Sequence, residues 1–401
     1  MIDLFRSRRA SHLGSFGRRA LTAALLSSMA ACATDDGAGT ASDDAAPLDG
    51  ADVENADVAT DDLATDEVAT DDVATDDDMT AQPLDADDPE TLSSDTGAPT
   101  SLQAVYTLGE KAYPESVEFD PVTRRFFTAS LELGNVVVTD GVTGESGEFF
   151  AGNGEPGWLG LGMQVDAPRR RLWVCVARGK TIDYGEVWQL DLDTGARLAR
   201  LNLGDTADKG ACTDFALADD GGVFVTDRQH GRIFRVSGGP TPAATVAVED
   251  SALDPVAVGQ NGIVLNPNQK VLISGKYLPV RLMRSDLTNP AAPVVTELSL
   301  DFSFLAGGAD DLVLHDEKLY VVVEDRVVEI TFADADWTAA SITTTVPIWE
   351  EGEDLIGGFS GIVVAEGALY ASRSDVVLWG FGAASERPFV LRRIAGIAGG
   401  L

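Results

Sequence analysis

Three oxygen-bearing side chains, Glu115, Asn261 and Asp310, occupy the same position in separate copies of an internal repeat. Two carboxylates and an amide carbonyl are hard oxygen ligands, which suit Ca²⁺ or Mg²⁺ best and admit Mn²⁺ or Zn²⁺; of these we expect Ca²⁺. Two like carboxylates buried near one another are costly without a cation. The alternative is that each side chain only satisfies backbone groups at the start of its strand. As a set, the three are candidate ligands of one divalent cation.

The repeat positions these residues through six short apolar segments, each opened by a polar or small residue. The openings are separated by 46, 52, 48, 49 and 50 residues. Short strands repeating at this interval predict an all-β fold, a six-bladed β-propeller. The innermost strand of each propeller blade lines the central channel, so the opening residues should form a ring around the axis. They are Glu115, Leu161, Thr213, Asn261, Asp310 and Ser360.

Each copy follows one plan of strands and turns. Five residues after the opening comes a cluster of turn formers, and a second strand rich in β-branched and aromatic residues follows, as in Leu172-Trp173-Val174. The segment 102–108 precedes the first copy and is predicted to complete the sixth blade beside a C-terminal strand near 389–393. Such closure removes two exposed sheet edges.

These residues resemble the SMP-30/gluconolactonase/luciferin-regenerating family of six-bladed propellers, over about Ala112 to Ala371. The resemblance implies that Glu115, Asn261 and Asp310 bind one divalent cation and that Asp310 is the catalytic base of a lactone or ester hydrolase. It rests on Pro114-Glu115 with Asp120-Pro121, on Asn261-Gly262-Ile263, and on Asp310.

Two departures from the family concern the substrate. Thr213 and Ala211 stand where the family's lactonases place an Asn and an Arg that contact substrate. The resemblance therefore supports metal binding by this chain better than it supports specificity for sugar lactones. Together with Thr213, we predict that Trp158 in the loop 152–160 and Trp349 in the loop 348–358 face the substrate. The competing function is a non-catalytic surface propeller that binds a ligand and holds a structural metal.

Residues 1–31 are predicted to be a lipoprotein signal peptide. Five arginines precede an apolar stretch at 20–29, and Ala30-Ala31-Cys32 follows. Small residues before a cysteine resemble a bacterial lipobox, although Met29 stands where Leu is usual. Cys32 would then carry the acyl chains that hold the protein on a membrane. Ordinary signal-peptide cleavage is the alternative, and the choice between Sec and Tat export stays open.

Residues 32–100 are predicted to be a disordered acidic tether. Positions 33–100 carry 22 Asp and Glu and no Lys or Arg, and the five-residue repeat that begins at Val58 runs through the middle. One sign of charge without aromatic residues cannot bury enough apolar surface to offset the entropy of ordering. Loose Ca²⁺ binding by these Asp residues is a weaker alternative, because they have no fixed loop geometry.

Charge and partners complete the sequence-based prediction for the propeller, residues 101–401. The chain carries −36, of which −18 remains in this region after the −22 of residues 33–100 and the +4 of residues 1–32. An acidic domain argues against a nucleic-acid partner. We predict a monomer, exported to the bacterial cell envelope and lipid-anchored, on the outer membrane. Its partner would be a small lactone or ester, or a surface ligand.

Two cysteines remain beyond Cys32. Cys175 is predicted on the second strand of blade two and Cys212 just before the first strand of blade three. Export to an oxidising compartment permits a disulfide between them. Two buried thiols are the alternative, because sequence does not supply the distance.

Overall fold

The computed structural model arranges the C-terminal three quarters of the chain as six four-stranded antiparallel sheets. The residues that the structure describes are 101–109, 112–152, 157–179, 184–203, 210–256, 258–302, 308–323, 325–349, 358–380, 382, 384–385 and 388–397. The predictions for the signal peptide (1–31) and the tether (32–100) lie outside them. Within these ranges, no helix is long and apolar enough to cross a membrane.

The strands of each blade follow one another from the axis outward. The innermost strands are β2 Pro114–Asp120, β6 Trp158–Asp166, β10 Cys212–Leu217, β14 Val258–Leu265, β18 Leu312–His315 and β22 Phe359–Ala365. The second strands are β3 Arg125–Ser130, β7 Arg171–Arg178, β11 Val223–Asp227, β15 Val271–Leu278, β19 Lys318–Val323 and β23 Ala368–Arg373. The third strands are β4 Val136–Asp140, β8 Gly185–Asp191, β12 Arg232–Val236, β16 Arg281–Asp286, β20 Arg326–Phe332 and β24 Val390–Arg393. The outermost strands are β5 Ser146–Phe150, β9 Arg197–Asn202, β13 Ala244–Glu249, β17 Val294–Glu297, β21 Ala340–Pro347 and β1 Val105–Thr107.

The innermost strands touch one another in ring order. Strand β2 contacts β6, β6 contacts β10, and the sequence continues through β14, β18 and β22 back to β2. A closed ring of six antiparallel sheets is a six-bladed β-propeller, so the fold predicted from the repeat is confirmed. Five of the six opening residues lie in these innermost strands, and Asp310 lies two residues before β18.

The ring closes by pairing the first strand of the domain with the last. Strand β1 lies antiparallel to β24, with Val105 opposite Arg392 and Thr107 opposite Val390. The sixth blade therefore combines β22, β23 and β24 with β1, as the sequence predicted. Both sheet edges that an open chain would expose are paired.

Burial falls from the inner strands to the outer ones, because neighbouring blades cover both faces of an inner or middle strand. In β7 every residue except the last is buried, which explains the nearly continuous apolar run from Leu172 to Ala177. In β9, which lies at the periphery, every residue is exposed or only partly buried. Trp173 and Trp188 are among the largest fully buried side chains.

Three short helical turns interrupt the β structure of the described ranges, although the sequence predicted none in this domain. They are the 3₁₀ turns Ala167–Arg169 and Ser251–Leu253 and the α-helix α1 Val376–Gly380. A single turn is too short to produce a visible 3.6-residue period. Helix α1 links blade six to blade one, because the indole Nε1 of Trp379 donates to Oε2 of Glu132 at 2.8 Å.

Cys175 and Cys212 form a disulfide between blades two and three. Cys175 lies in β7 and Cys212 begins β10; their Cα atoms are 5.5 Å apart and both residues are fully buried. The bridge fastens the strand that carries Thr213 to the neighbouring blade.

Candidate metal and active site

The six opening residues form a ring around the channel, here called the first ring. Hydrogen bonds join adjacent blades at this level. The hydroxyl of Ser360 donates to the carbonyl of Glu115 at 2.6 Å, and the amide N–H of Gly262 donates to the carbonyl of Asp310 at 2.8 Å. The blades are therefore packed closely enough for side chains from different blades to meet near the axis.

A β-bulge lies at the first ring in five of the six inner strands. The register between first and second strands shifts between Pro114 and Ser116 in blade one and between Gln260 and Ile263 in blade four, with equivalent shifts in blades two, three and six. In blade five, Asp310 and Asp311 precede β18. Bulges re-aim side chains and are common beside active sites. This irregularity allows one residue per blade to turn toward the channel.

Asn261 and Asp310 are in contact between blades four and five, and the charge of Glu115 in blade one acts on Asp310. All three are buried, with 9%, 6% and 7% of their surface exposed. The amide Nδ2 of Asn261 donates to Oδ1 of Asp310. The carboxylate of Glu115, in contrast, has no hydrogen-bond partner among the described residues. A buried, unpartnered carboxylate is costly, and it is the feature of this site that calls for a ligand.

The pKa shifts of Glu115 and Asp310 also indicate that nearby positive charge is lacking. Burial raises the pKa of Glu115 from 4.5 to about 7, with a further contribution from the charge of Asp311, while Arg228 opposes the shift. Burial also raises the pKa of Asp310 well above its ordinary 3.8, assisted by Glu115 and Asp311 and opposed by Arg228 and the hydrogen bond from Asn261. Each carboxylate therefore resists ionisation until a positive charge arrives.

The residues that follow the first ring form a second ring, which alternates between polar residues and glycine. The polar members lie in blades one, three and five, and the glycines lie in blades two, four and six. In chain order the second ring is Ser116, Gly162, Asp214, Gly262, Asp311 and Gly361. This alternation is visible in the sequence, but it was not among the features that predicted the site.

The second ring holds neighbouring blades together. Asp311 accepts a hydrogen bond from the amide of Ile362 in blade six at 2.8 Å, and Asp214 accepts one from the amide of Ile263 in blade four at 3.1 Å. The glycines permit this close approach. A Cβ on Gly162 would lie 2.5 Å from Oδ1 of Asp214 and would also overlap the carbonyl oxygen of Thr213. These acidic residues therefore have a structural explanation that Glu115 lacks.

A further carboxylate, that of the partly buried Glu118, lies further along β2. Glu118 accepts a hydrogen bond from the amide of Val165 at 3.0 Å, and burial raises its pKa from 4.5 to about 8. Burial likewise raises the pKa of Asp311 from 3.8 to about 7. Much of this channel acidity is consequently held in the protonated form near neutral pH.

Thr213 lies in the first ring but its hydroxyl is used by the protein. Its Oγ1 donates to the carbonyl of Gln260 in blade four at 3.3 Å, and the residue is 1% exposed. The structure thus places Thr213 beside Asn261 and gives it a contact between blades. Ala211, two residues earlier, is fully buried.

The structure places Trp158, predicted to face the substrate, in the core of blade two. Trp158 begins β6 and is 3% exposed, and its ring lies 5.5 Å from that of Trp188 and 6.0 Å from that of Tyr184. The aromatic contacts draw the indole into the blade core. In a strand, adjacent side chains point to opposite faces, so a one-residue difference decides between channel and core.

Trp349 stays a prediction as a substrate contact. It is half-buried and follows β21, after the buried Ile348. The remainder of its loop, residues 350–357, lies outside the described residues.

The side chains in the first ring fit a hard divalent cation. Glu115 and Asp310 supply two carboxylates, and the donation from Nδ2 of Asn261 leaves its carbonyl oxygen for a ligand. Three protein oxygens with water completing the shell are compatible with Ca²⁺, which takes six to eight oxygen ligands. Within the described ranges, no three His, Cys, Asp or Glu side chains converge as a metal site. The amide of Asn261 is therefore essential to the proposed set.

Comparison with known proteins identifies the fold of this chain but does not assign it to a family. No protein-family model matches the chain, and no curated protein sequence matches it. Solved structures do. One is the major allergen Mala s 1 of Malassezia sympodialis, with 17% identity and a TM-score of 0.57, covering 74% of this chain and 98% of that one.

Two further solved structures are named as enzymes. A luciferin-regenerating enzyme shares 14% identity with a TM-score of 0.53, over 74% of this chain and 97% of that one. A gluconolactonase from Xanthomonas campestris shares 16% identity with a TM-score of 0.50, over 72% of this chain and 89% of that one. At these identities the likeness shows a common six-bladed fold.

Proposed function

We propose that the propeller binds one divalent cation, Ca²⁺ in the first instance, through Glu115, Asn261 and Asp310, and that it hydrolyses a lactone or ester at this site. The observation that carries the proposal is the carboxylate of Glu115, which is 9% exposed and unpartnered among the described residues. A cation would remove the cost of that burial. The fold shared with a gluconolactonase supports the choice of reaction.

The proposed hydrolysis depends on where Asp310 lies and on whether its carboxylate is ionised. A bound divalent cation would polarise the carbonyl of the substrate and lower the pKa of a water molecule. Asp310 would accept the proton from the attacking water, and the ring or alkoxide oxygen would take up a proton as its bond to the acyl carbon breaks. The bond from Asn261 orients the Asp310 carboxylate. A bound cation would also favour the ionised form of Asp310, which is the form that can accept this proton.

The second candidate function is a non-catalytic surface propeller that binds a ligand and holds a structural metal. Two placements favour it: the Thr213 hydroxyl bonds to the carbonyl of Gln260, and Trp158 is in the blade core. Both side chains are thereby withdrawn from substrate contact. This function shares the metal site and lacks turnover.

A panel of lactones and esters separates the two functions. The full-length protein would be assayed with Ca²⁺, with Mg²⁺, Mn²⁺ and Zn²⁺ in turn, and with excess chelator. Turnover that the chelator removes and Ca²⁺ restores is expected for the hydrolase. If calorimetry shows that a cation binds but no member of the panel is hydrolysed, the binding module is the better description.

The proposal also includes export and anchoring. Residues 1–31 would direct secretion, acyl chains on Cys32 would hold the protein on the outer membrane, and residues 32–100 would separate the propeller from it. In the native host, Cys32→Ser should move the protein from the membrane fraction to the soluble fraction, whereas Ala33→Ser should leave it with the membrane. If both variants distribute like the wild type, the anchor is not at Cys32.

A further inference from the structure

An arginine that the repeat does not mark lies beside the first ring. Arg228 directly follows β11, and its amide N–H donates to the carbonyl of Ala211 at 2.9 Å. On its other side, a Cβ on Gly259 would come within 1.9 Å of the Arg228 carbonyl. Glycine at 259 therefore allows the backbone of Arg228 to pack against the inner strand of blade four.

These two contacts fix the level of Arg228 in the channel. Ala211 and Gly259 each precede a member of the first ring, Thr213 and Asn261, by two residues. Two residues of strand span about 7 Å, so Arg228 lies about that far from the first ring, on the side where the inner strands begin. An arginine side chain can bridge such a distance. Consistent with this, the positive charge of Arg228 acts on both Glu115 and Asp310 and opposes the rise in the pKa of each.

The neighbours of Arg228 have partners of their own. Asp227 accepts hydrogen bonds from the guanidinium of Arg232 at 2.7 Å and from the amide of Ala211 at 3.0 Å. Most arginines in the described ranges form ion pairs, as Arg170 does with Asp120 at 2.8 Å. The guanidinium of Arg228 is half-buried and forms no ion pair or hydrogen bond with any described residue.

Hydrogen bonding gives this arginine a role once a cation is bound. The cation would balance the charges of Glu115 and Asp310, and Asp311 already accepts the amide N–H of Ile362. The guanidinium of Arg228 would still lack a hydrogen-bond partner among the described residues. A guanidinium presents a planar fork of N–H donors that matches a carboxylate or phosphate in a bidentate way, so it favours an anionic ligand over a neutral one.

We infer that Arg228 binds an anionic substituent of the substrate, a carboxylate or a phosphate, and orients the scissile carbonyl toward Asp310. The inference rests on the proposed hydrolase function and names its substrate class: lactones or esters that carry an acidic group apart from the reacting carbonyl. Arg228 thereby acts as a specificity residue.

The test compares matched anionic and neutral substrates. The carboxylate lactone 5-oxotetrahydrofuran-2-carboxylate and its carboxamide differ in charge at nearly constant shape, and a phosphorylated sugar lactone with its unphosphorylated parent provides the phosphate arm. Wild type, Arg228→Gln and Arg228→Lys would be assayed with Ca²⁺. Arg281→Gln is the control, because Arg281 is 46% exposed and pairs with Glu297 on an outer part of blade four.

Arg228→Gln should lower kcat/KM for the anionic member of the preferred pair by about 10- to 100-fold, because a hydrogen bond to a charged group is lost. The loss should appear mainly in KM, and the neutral member should change less than about threefold, within the range of an uncharged contact. Arg228→Lys should recover part of the loss, and Arg281→Gln should match the wild type. Equal losses on anionic and neutral substrates, or none, would overturn the inference.

A binding measurement separates this inference from the proposed hydrolysis. Tetrahydrofuran-2-carboxylate has no lactone or ester bond to hydrolyse, and its affinity for the Ca²⁺-loaded protein can be measured by calorimetry beside its carboxamide. If turnover is absent but Arg228→Gln weakens binding of the carboxylate alone, the hydrolase proposal fails and the anion site stands. If turnover is present while carboxylate binding is the same in wild type and Arg228→Gln, the anion site fails and the hydrolase proposal stands.

Discussion

The first and second rings of the channel contain similar acidic residues in different surroundings. In the second ring, Asp214 and Asp311 each accept a backbone N–H from the next blade. In the first ring, Asp310 accepts the side-chain amide of Asn261, while Glu115 accepts nothing from the described residues. The two rings are one residue apart along each strand.

The difference separates structural acids from acids that require a ligand. A carboxylate that receives backbone donors has hydrogen-bond partners within the protein and joins two blades, even though burial raises the pKa of Asp311 and of Asp214 as it does that of Glu115. A buried carboxylate without a donor lowers stability unless something outside the chain compensates it. High acidity in a propeller channel is therefore not in itself a sign of a metal site, and the hydrogen-bond partners decide.

The largest effect is expected from Asp310→Asn. The amide keeps an oxygen ligand but cannot take a proton, so turnover should fall by about 10²- to 10⁴-fold, the range for removal of a general base. Cation affinity, measured by calorimetry, should fall much less. Asp316→Asn is the control, since Asp316 is 70% exposed in a hairpin turn of the same blade. Wild-type turnover in Asp310→Asn would exclude Asp310 as the base.

Glu115→Gln tests the ligand role of the first ring. With Ca²⁺ at about 100 times its Kd, binding stabilises the wild type by about 2.7 kcal/mol, because the ligand binds only the folded state. The variant should lose most of this increment. In excess chelator it should melt at or above the wild-type temperature, because an uncompensated buried charge has been removed. A wild-type protein that melts equally with Ca²⁺ and with chelator would argue against any cation site.

Asp214→Ala is the matching change in the second ring. It leaves the amide of Ile263 without its acceptor, which costs about 1–3 kcal/mol for a buried donor. This loss should be the same with Ca²⁺ and with chelator, as followed by thermal denaturation. A loss that appears only with Ca²⁺ would place Asp214 among the cation ligands and remove the distinction between the rings.

The same carboxylates should also make stability depend on pH. The pKa of Glu115 is raised from 4.5 to about 7 and that of Glu118 to about 8, so the folded protein retains protons that the unfolded chain has lost. Without metal, the free energy of unfolding should therefore fall as pH rises from about 4.5 to 8. A carboxyl whose pKa is higher by about one in the folded state than in the unfolded chain contributes about 1.4 kcal/mol to this fall.

Other acids act in the opposite direction at lower pH. Asp120, for example, has a pKa below 3.8 because Arg170 and Thr123 bond to it, so its contribution is present above pH 4 and is lost on acidification. Thermal denaturation of the chelated protein should accordingly show the greatest stability near pH 5. Bound Ca²⁺ should flatten the decline toward pH 8, since it favours the ionised carboxylates. An unchanged pH profile with Ca²⁺ would contradict a site built on Glu115.

The elements of this fold could be predicted from the sequence because equivalent positions of the repeat occupy equivalent places in the six blades. The six openings fix which strands are innermost, and the pattern at 102–108 fixes the closing strand β1. Glu115, Asn261 and Asp310 could be grouped on the same grounds, since equivalent repeat positions meet at the axis. The alternation of acid or serine with glycine in the second ring is a second sequence pattern that marks where neighbouring blades approach closely.

Other features depend on direction and distance, which a linear pattern does not contain. Trp158 turns into the core because Trp188 and Tyr184 lie there, and a single residue of register decides the matter. Arg228 directly follows the end of a second strand, so no repeat position marks it. The disulfide between Cys175 and Cys212 likewise required the spacing of blades two and three.

The pairing of β1 with β24 sets the order in which the domain can be completed. Val105–Thr107 is made near the start of the domain and its partner Val390–Arg393 near the end. A ribosome or a translocation channel delivers them almost 300 residues apart. Until the later strand emerges, blade six lacks a strand and β1 has an unsatisfied edge, which is a template for aggregation. A chain truncated before residue 390 should therefore not fold into a stable domain, even though the strands of its first five blades are all present.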